Sequence, residues 1–264
     1  MPELPDVEVF RHYVNATSLR IRIESVEVRS RSILKGISPK RLRESLEGHS
    51  LETTRRHGKY LFVQLDNKRW LVFHFGMSGH LTYFKEMEED PPYDRFLISF
   101  SNGYHLAYDS QRKLGKVELT KDIDKFIREK GLGPDALATG FDFVAFEERL
   151  TARRGMLKSV LMNQEIMAGI GNVTSDEILF QTRLHPKKKV SQLDKKSLRR
   201  LFRNMKKVLL TCIECRATPE QYPKSYLTPQ RKAGGTCPKC GGKLGQLKLS
   251  GRIMYYCPAC QGHE

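Results

Sequence analysis

Met162-Asn163-Gln164-Glu165-Ile166-Met167-Ala168-Gly169-Ile170-Gly171-Asn172 sets a Gly-Ile-Gly-Asn turn between two helical patterns, and the organisation of the chain follows outward from it. Glycines let backbone amides face outward, and the N-terminus of the next helix favours an anion. Alone, the stretch is a helical hairpin turn with weak phosphate character. It is not a Gly-x-Gly-x-x-Gly nucleotide loop, because no strand precedes it and the third glycine is absent.

On either side of this turn the pattern stays helical. Residues 143–153 read as one helix with Asp142 as its cap, and residues 156–163 as a second. Asn172 or Thr174 can cap a third that runs to about residue 182. Residues 191–215 make a long fourth, with Leu193, Leu198, Leu201, Met205, Val208 and Leu209 on one side. Lys195, Lys196, Arg199, Arg200, Arg203, Lys206 and Lys207 occupy the other. Such a basic face is usually solvated; DNA contact is its alternative. Residues 218–235 read as a linker.

Upstream of the punctuation at Gly131-Leu132-Gly133-Pro134-Asp135 the period changes. Residues 5–16 read as a helix, with Val7, Phe10 and Val14 at helical spacing. From Ile21 to Leu119 short strands follow one another. Residues 60–65 and 70–75 flank the turn Asp66-Asn67-Lys68-Arg69, and Asn102-Gly103 is a second hairpin signal. Many short strands with turns between them predict a sandwich or barrel.

The chain has 264 residues and a net charge of +16, from 46 Lys and Arg against 30 Asp and Glu. This excess favours polyanions, nucleic acid first and an anionic membrane surface second. No apolar run approaches the roughly 18 residues of a membrane span, and no basic start leads into an apolar run. The expectation is a soluble intracellular protein without a signal peptide.

Cys237-Pro-Lys-Cys240 and Cys257-Pro-Ala-Cys260 are separated by sixteen residues. Two such knuckles fit a tetrahedral four-thiolate zinc site, closed by protein on all sides and therefore structural. Residues 247–249 and 253–256 supply the strands of a zinc ribbon, whose Ser250-Gly251-Arg252 tip can present Arg252 to a phosphate or merely close the turn. Cys212 and Cys215 read as buried helical thiols, since no further ligand pair completes a second site.

Other positions are ambiguous by themselves. Lys59, in His57-Gly58-Lys59-Tyr60, has the usual look of an exposed lysine. Met77, in His74-Phe75-Gly76-Met77-Ser78-Gly79, fits either a core side chain or a wedge into an opened base stack. Pro2-Glu3 is ordinary helix-start chemistry, or a nucleophile with a proton carrier beside it. If Met1 is removed, Pro2 becomes a secondary amine with a pKa near 8, which can attack a sugar carbon and form an iminium. A Pro2 still acylated by Met1 has no such lone pair.

In this order the pieces resemble the formamidopyrimidine-DNA glycosylase/endonuclease VIII family. The resemblance runs from Pro2 to Gln261. It rests on Pro2-Glu3-Leu4-Pro5 with Val7-Glu8, Arg56-His57-Gly58-Lys59-Tyr60-Leu61, His74 to Gly79, Ala168 to Asn172 with Asp176-Glu177, His185-Pro186, and Gly251-Arg252 ahead of Tyr256-Cys257-Pro258 and Gln261. It implies an α+β chain: an N-terminal helix with a β-sandwich (1–134), a helix–two-turn–helix domain (135–225) and a C-terminal four-cysteine zinc ribbon (226–264).

The resemblance also implies chemistry. Pro2 would attack C1′ of a flipped nucleotide, Glu3 would move protons, and elimination would then cut the strand. Lys59 and Arg252 would support catalysis at phosphates. Asn172 would clamp the backbone with Arg252, Met77 would fill the vacated stack, and Arg112 would face the orphaned base. His74 and Lys158 join them as DNA-binding positions. One structural Zn2+, a double-stranded DNA partner with damaged bases or abasic sites, and a monomer in a cytoplasm of bacterial or archaeal type complete the expectation. Some positions depart from the family. Asp6 stands where Glu is common, Val173-Thr174-Ser175 lacks a tyrosine, and Arg112-Lys113-Leu114-Gly115 replaces an Arg-Arg-Phe-Gly wedge. Residues 226–236 lack a longer lesion-closing loop. Purine lesions and oxidised pyrimidines both stay open as substrates. An inactive damage-binding protein on the same scaffold, or a basic zinc-ribbon protein of RNA metabolism, are the rival readings.

Overall fold

A computed structural model describes residues 1–249 and 251–262. Ser250 of the ribbon tip and residues 263–264 lie outside the described residues. The chain falls into two units: residues 1–2 with 6–130, and residues 3–5 with 131–264.

In the first unit the alternating runs become two four-stranded antiparallel sheets. One has the order β1 (Ile23–Val28), β6 (Asp94–Phe100), β7 (His105–Asp109), β5 (His80–Phe84). The other is β2 (Leu51–His57), β3 (Tyr60–Leu65), β4 (Trp70–His74), β8 (Lys116–Thr120). Leu61, Leu71 and Phe73 share one buried cluster with Phe96, Ile98 and Tyr108, which makes a sandwich. Val7 and Val14 of α1 (Leu4–Thr17) belong to the same cluster. Phe62 and Val72 point the other way, onto Ile123 and Phe126 of α3 (Ile123–Glu129). Cover on both faces explains why β3 and β4 read as continuous apolar runs.

Both expected hairpins form, β3–β4 and β6–β7. Three elements escape the sequence pattern: β2, α3 and α2 (Pro39–Leu46). β2 lies at a sheet edge and reads Leu-Glu-Thr-Thr-Arg-Arg-His, too polar to signal a strand. The two helices are 8 and 7 residues long, below the length at which periodicity is decisive. Their caps were nonetheless written locally, as Ser38 before Pro39 and as Asp122, which accepts Lys125 N–H at 3.0 Å.

The second unit holds α4 (Phe143–Thr151), α5 (Leu157–Leu161), α6 (Asn172–Thr182), α7 (Lys195–Glu214) and the antiparallel ribbon strands β9 (Gly245–Leu249) and β10 (Arg252–Tyr256). α7 starts at Lys195 rather than at 191, because Asp194 caps it by accepting Ser197 N–H at 2.8 Å. Leu4 is fully buried in this unit's core beside Met167, Ile170 and Ile178. Among the described residues no helix is long and apolar enough to cross a membrane.

Candidate functional site

The Gly-Ile-Gly-Asn turn is a clasp around Glu3-Leu4. Gly171 occupies the cap position of α6 and has no side chain with which to cap it. Glu3 does so from 168 residues away. Its Oε2 accepts the N–H groups of Gly171 (3.1 Å) and Thr174 (3.0 Å) and the Thr174 hydroxyl (2.5 Å), and its Oε1 accepts Val173 N–H (2.9 Å). The carboxylate is only 2% exposed and lies where the helix dipole is positive. A Cβ on Gly171 would stand 2.1 Å from Glu3 Cδ, and one on Gly169, whose φ is +118°, would stand 2.5 Å from Leu4 Cδ1. Leu4 N–H also donates to Gly169 O at 3.1 Å. Gln164 ties the turn, donating to Met162 O and Ile170 O and accepting Gly169 N–H.

Behind the clasp α6 is buried at eight of its 11 residues, four of them Thr174, Ser175, Asp176 and Glu177. A polar helix tolerates this only with partners throughout. Asp176 accepts from Lys158, from Arg231 Nε (2.8 Å) and from Tyr255 N–H (3.1 Å). Glu177 accepts Leu227 N–H (3.1 Å), Thr228 N–H (2.8 Å) and the Thr228 hydroxyl (2.6 Å). The Asp176-Glu177 pair thus fastens β10 and the preceding linker to α6.

Lys158 requires a correction. Expected at a DNA surface, it is fully buried, and its ammonium also donates to Asn172 O (2.9 Å) and Ser175 Oγ (3.0 Å). Burial pulls it below the ordinary lysine range, against the charge of Asp176. It has no surface to offer a phosphate; it holds the start of α6. Lys158→Met should therefore destabilise the fold by about 1–3 kcal/mol, the cost of leaving Asn172 O and the buried Ser175 Oγ without their donor while Arg231 still pairs with Asp176, measured by urea unfolding.

Asn172 and Arg252 are linked through β10. Asn172 Nδ2 donates to Ile253 O at 3.0 Å, and Arg231 donates to the same oxygen at 3.1 Å. Arg252, the first residue of the strand, is exposed. Beyond it, the four thiols Cys237, Cys240, Cys257 and Cys260 lie within 4.8 Å of one another. The Cys237–Cys260 and Cys240–Cys257 separations are 3.8 and 3.5 Å. Bonds of about 2.3 Å to a tetrahedral zinc place sulfurs about 3.8 Å apart, so the donor set fits such an ion. Lys239 and Cys260 N–H groups point at Cys237 and Cys257 sulfurs (3.4 and 3.3 Å), as thiolates require. Gln261 secures the module by accepting Cys257 N–H and donating to Leu184 O, both at 2.9 Å.

In the first unit Lys59 sits with Gly58 in the two-residue turn between β2 and β3. Arg56 fixes that turn through Gly58 O (3.2 Å) and Glu8 Oε2 (2.7 Å). Burial would raise the Glu8 carboxyl; Arg11 and Arg56 outweigh it and hold Glu8 below its ordinary value. His74 faces Tyr60 across the ladder. Its pKa falls to about 4, by burial first and by the charge of Lys59 next, so at neutral pH it is an uncharged hydrogen-bonding imidazole rather than a cation. Met77 is 44% exposed and Leu114 49%, at the tips of two loops that touch: a Cβ on Gly76 would stand 2.5 Å from Leu114 C. The core reading of Met77 does not hold. Arg112 is exposed on the second loop, and its N–H reaches Ser78 Oγ at 3.4 Å. Pro2 is half-buried.

Neither Asn172 nor Thr174 is the cap of α6: that position is Gly171, and Thr174, three residues on, accepts Gly171 N–H at 3.0 Å and donates to Glu3, while the roles of Gln164 and Arg231 had no sequence signal. Asp176, Glu177 and Gln261 were visible as motif members without an assignable contact.

Comparison with known proteins follows the same division. A family model described as the formamidopyrimidine-DNA glycosylase N-terminal domain matches residues 1–117, and one described as the formamidopyrimidine-DNA glycosylase H2TH domain matches residues 132–222. Curated relatives named formamidopyrimidine-DNA glycosylase include one from Syntrophomonas wolfei, 32% identical over 99% of this chain and 100% of its own. Another, from Arabidopsis thaliana, is 30% identical over 99% of this chain and 71% of its own. Two crystal structures of the Lactococcus lactis formamidopyrimidine-DNA glycosylase are each 26% identical over 99% of this chain and 100% of theirs. One is bound to DNA containing an AP site (TM-score 0.89) and the other to DNA containing FAPY-dG (TM-score 0.90). Matched along nearly its whole length, with the fold and the four-thiol cluster in place, the chain belongs to the formamidopyrimidine-DNA glycosylase family.

Proposed function

We propose that the chain is a base-excision-repair DNA glycosylase with abasic-site lyase activity, acting on oxidised bases in duplex DNA. The observation that carries this reading is the Glu3 clasp. It holds a carboxylate in one orientation on a helix N-terminus, with Pro2 as the adjoining residue in the chain. Family membership and the +16 charge support DNA as the partner.

In this reading the free Pro2 amine attacks C1′. The bond from C1′ to the base breaks, and the base leaves with a proton. Ring opening gives a cationic iminium between Pro2 and the sugar. Loss of a C2′ proton then expels the 3′ phosphate, and a second elimination expels the 5′ phosphate. Glu3 is the group we assign to proton transfer during attack and ring opening. Lys59 and Arg252 balance phosphate charge at the reacting nucleotide, Asn172 and neutral His74 position the backbone, Met77 enters the stack, and Arg112 meets the unpaired base. These contacts position the duplex more than they read it. Substrates are 8-oxoguanine, formamidopyrimidines or oxidised pyrimidines. We assign residues 1–134 to the sandwich, 135–225 to the helical domain and 226–264 to the ribbon.

Borohydride reduction with abasic-site duplex tests the reading: a covalent protein–DNA product is expected, and its absence would leave only a DNA-binding protein. We assign zinc to Cys237, Cys240, Cys257 and Cys260, with a structural role. Chelation should loosen residues 237–260 and weaken duplex affinity through Arg252, and metal analysis of fresh protein should find about one zinc per chain.

A further inference from the structure

A concavity between α4 and the N-terminal half of α7 takes no part in the chemistry above. Phe143, Lys195, Lys196, Arg199, Phe202 and Arg203 line it, with a volume of about 610 Å³. Pockets that hold a drug-sized group run roughly 300–1,000 Å³. The floor is aromatic and half-buried. Phe202 packs against Phe141, Phe143 and Phe146 at centroid distances of 6.2, 6.1 and 5.2 Å. The rim is cationic: Lys195, Arg199 and Arg203 recur every four residues along one face of α7, and Lys196 stands beside them, all exposed. Nearby acids are already engaged. Glu147 pairs with Lys195 at 3.5 Å, while Asp142 and Asp194 cap their helices.

An apolar floor inside a ring of cations calls for an occupant with both characters. Stacked bases need free ring faces. Here Arg199 lies over Phe143 at 5.4 Å and Lys206 over Phe202 at 5.4 Å. A phosphate backbone would meet the cations and leave the floor wet. We propose that this concavity docks an acidic segment of a partner protein, which lays one aromatic or aliphatic side chain against the edges of Phe143 and Phe202 and pairs its carboxylates with Lys196, Arg199 and Arg203. A buried apolar anchor within a charged rim is the usual form of a hot spot.

Fluorescence anisotropy of the full chain with a labelled Asp-Asp-Asp-Asp-Leu-Phe peptide tests this. Saturable binding is expected, weakened about tenfold or more by Ala-Ala in place of Leu-Phe, and by a similar factor in Arg199→Glu/Arg203→Glu at unchanged melting temperature. Equal affinity for the anchor-free peptide would overturn the proposal without any variant. So would a double variant that loses undamaged duplex and peptide by the same factor, since the face would then be a general polyanion surface.

Discussion

Pro2→Gly should lower base excision and strand cleavage by about tenfold or more while leaving duplex binding in place, because a primary amine replaces the secondary one rather than the nucleophile being lost. Glycine keeps an α-amino group with a pKa near 8, so charge at the terminus hardly changes. What changes is the adduct. A secondary amine gives an iminium that is cationic at every pH, so it withdraws electrons from C2′ without first taking up a proton. A primary amine gives a neutral imine that must be protonated, and glycine also loses the ring that fixes the nitrogen's direction. Single-turnover excision and borohydride trapping read both steps. An unchanged rate would mean that neither the ring nor the secondary amine matters to the reaction, and borohydride trapping with an N-terminally acetylated chain then decides whether the terminal amine attacks at all. The same chemistry requires removal of Met1, because an acylated Pro2 nitrogen is an amide; intact mass reports this directly.

Gly171→Ala should have the second large effect. The backbone there is extended (φ −122°), so alanine is conformationally acceptable. The cost is contact: the new Cβ would stand 2.1 Å from Glu3 Cδ and 2.2 Å from its Oε1. Glu3 must move by about 1 Å, and a displacement of that size costs about 10²-fold in rate when the displaced group takes part in the chemistry. Overpacking should also lower stability by about 1–3 kcal/mol. Excision kinetics and urea unfolding of the variant separate the two effects. Wild-type excision in a destabilised variant would mean that the clasp serves the fold and not the reaction.

The outer architecture was legible because its signals are local. Period-two runs, the Asn102-Gly103 turn, the Asp142 cap and the Cys-x-x-Cys spacing each depend on neighbours a few residues apart. β2, α2 and α3 were missed for the converse reason: an edge strand and two short helices take their definition from the sheet beside them. At the candidate site, residue types were visible and partners were not. Lys158 was expected only as a DNA-binding position, and the fold places Asp176, Ser175 and the Asn172 carbonyl around it. Met77 was open between core and surface until the contact of its loop with Leu114-Gly115 left it outside.

From sequence alone, Ala168-Gly169-Ile170-Gly171-Asn172 is a turn between helices, with glycines whose amides suit an anion. That much follows from backbone freedom and the helix dipole. Only the tertiary structure decided which anion. It is the carboxylate of Glu3, brought from the far end of the chain, and the glycines are needed because Glu3 and Leu4 fill the space where side chains would stand. Local pattern carries the periodicity and the turns. Which distant group is buried against them is settled by close packing, in which every buried polar atom must find its partner.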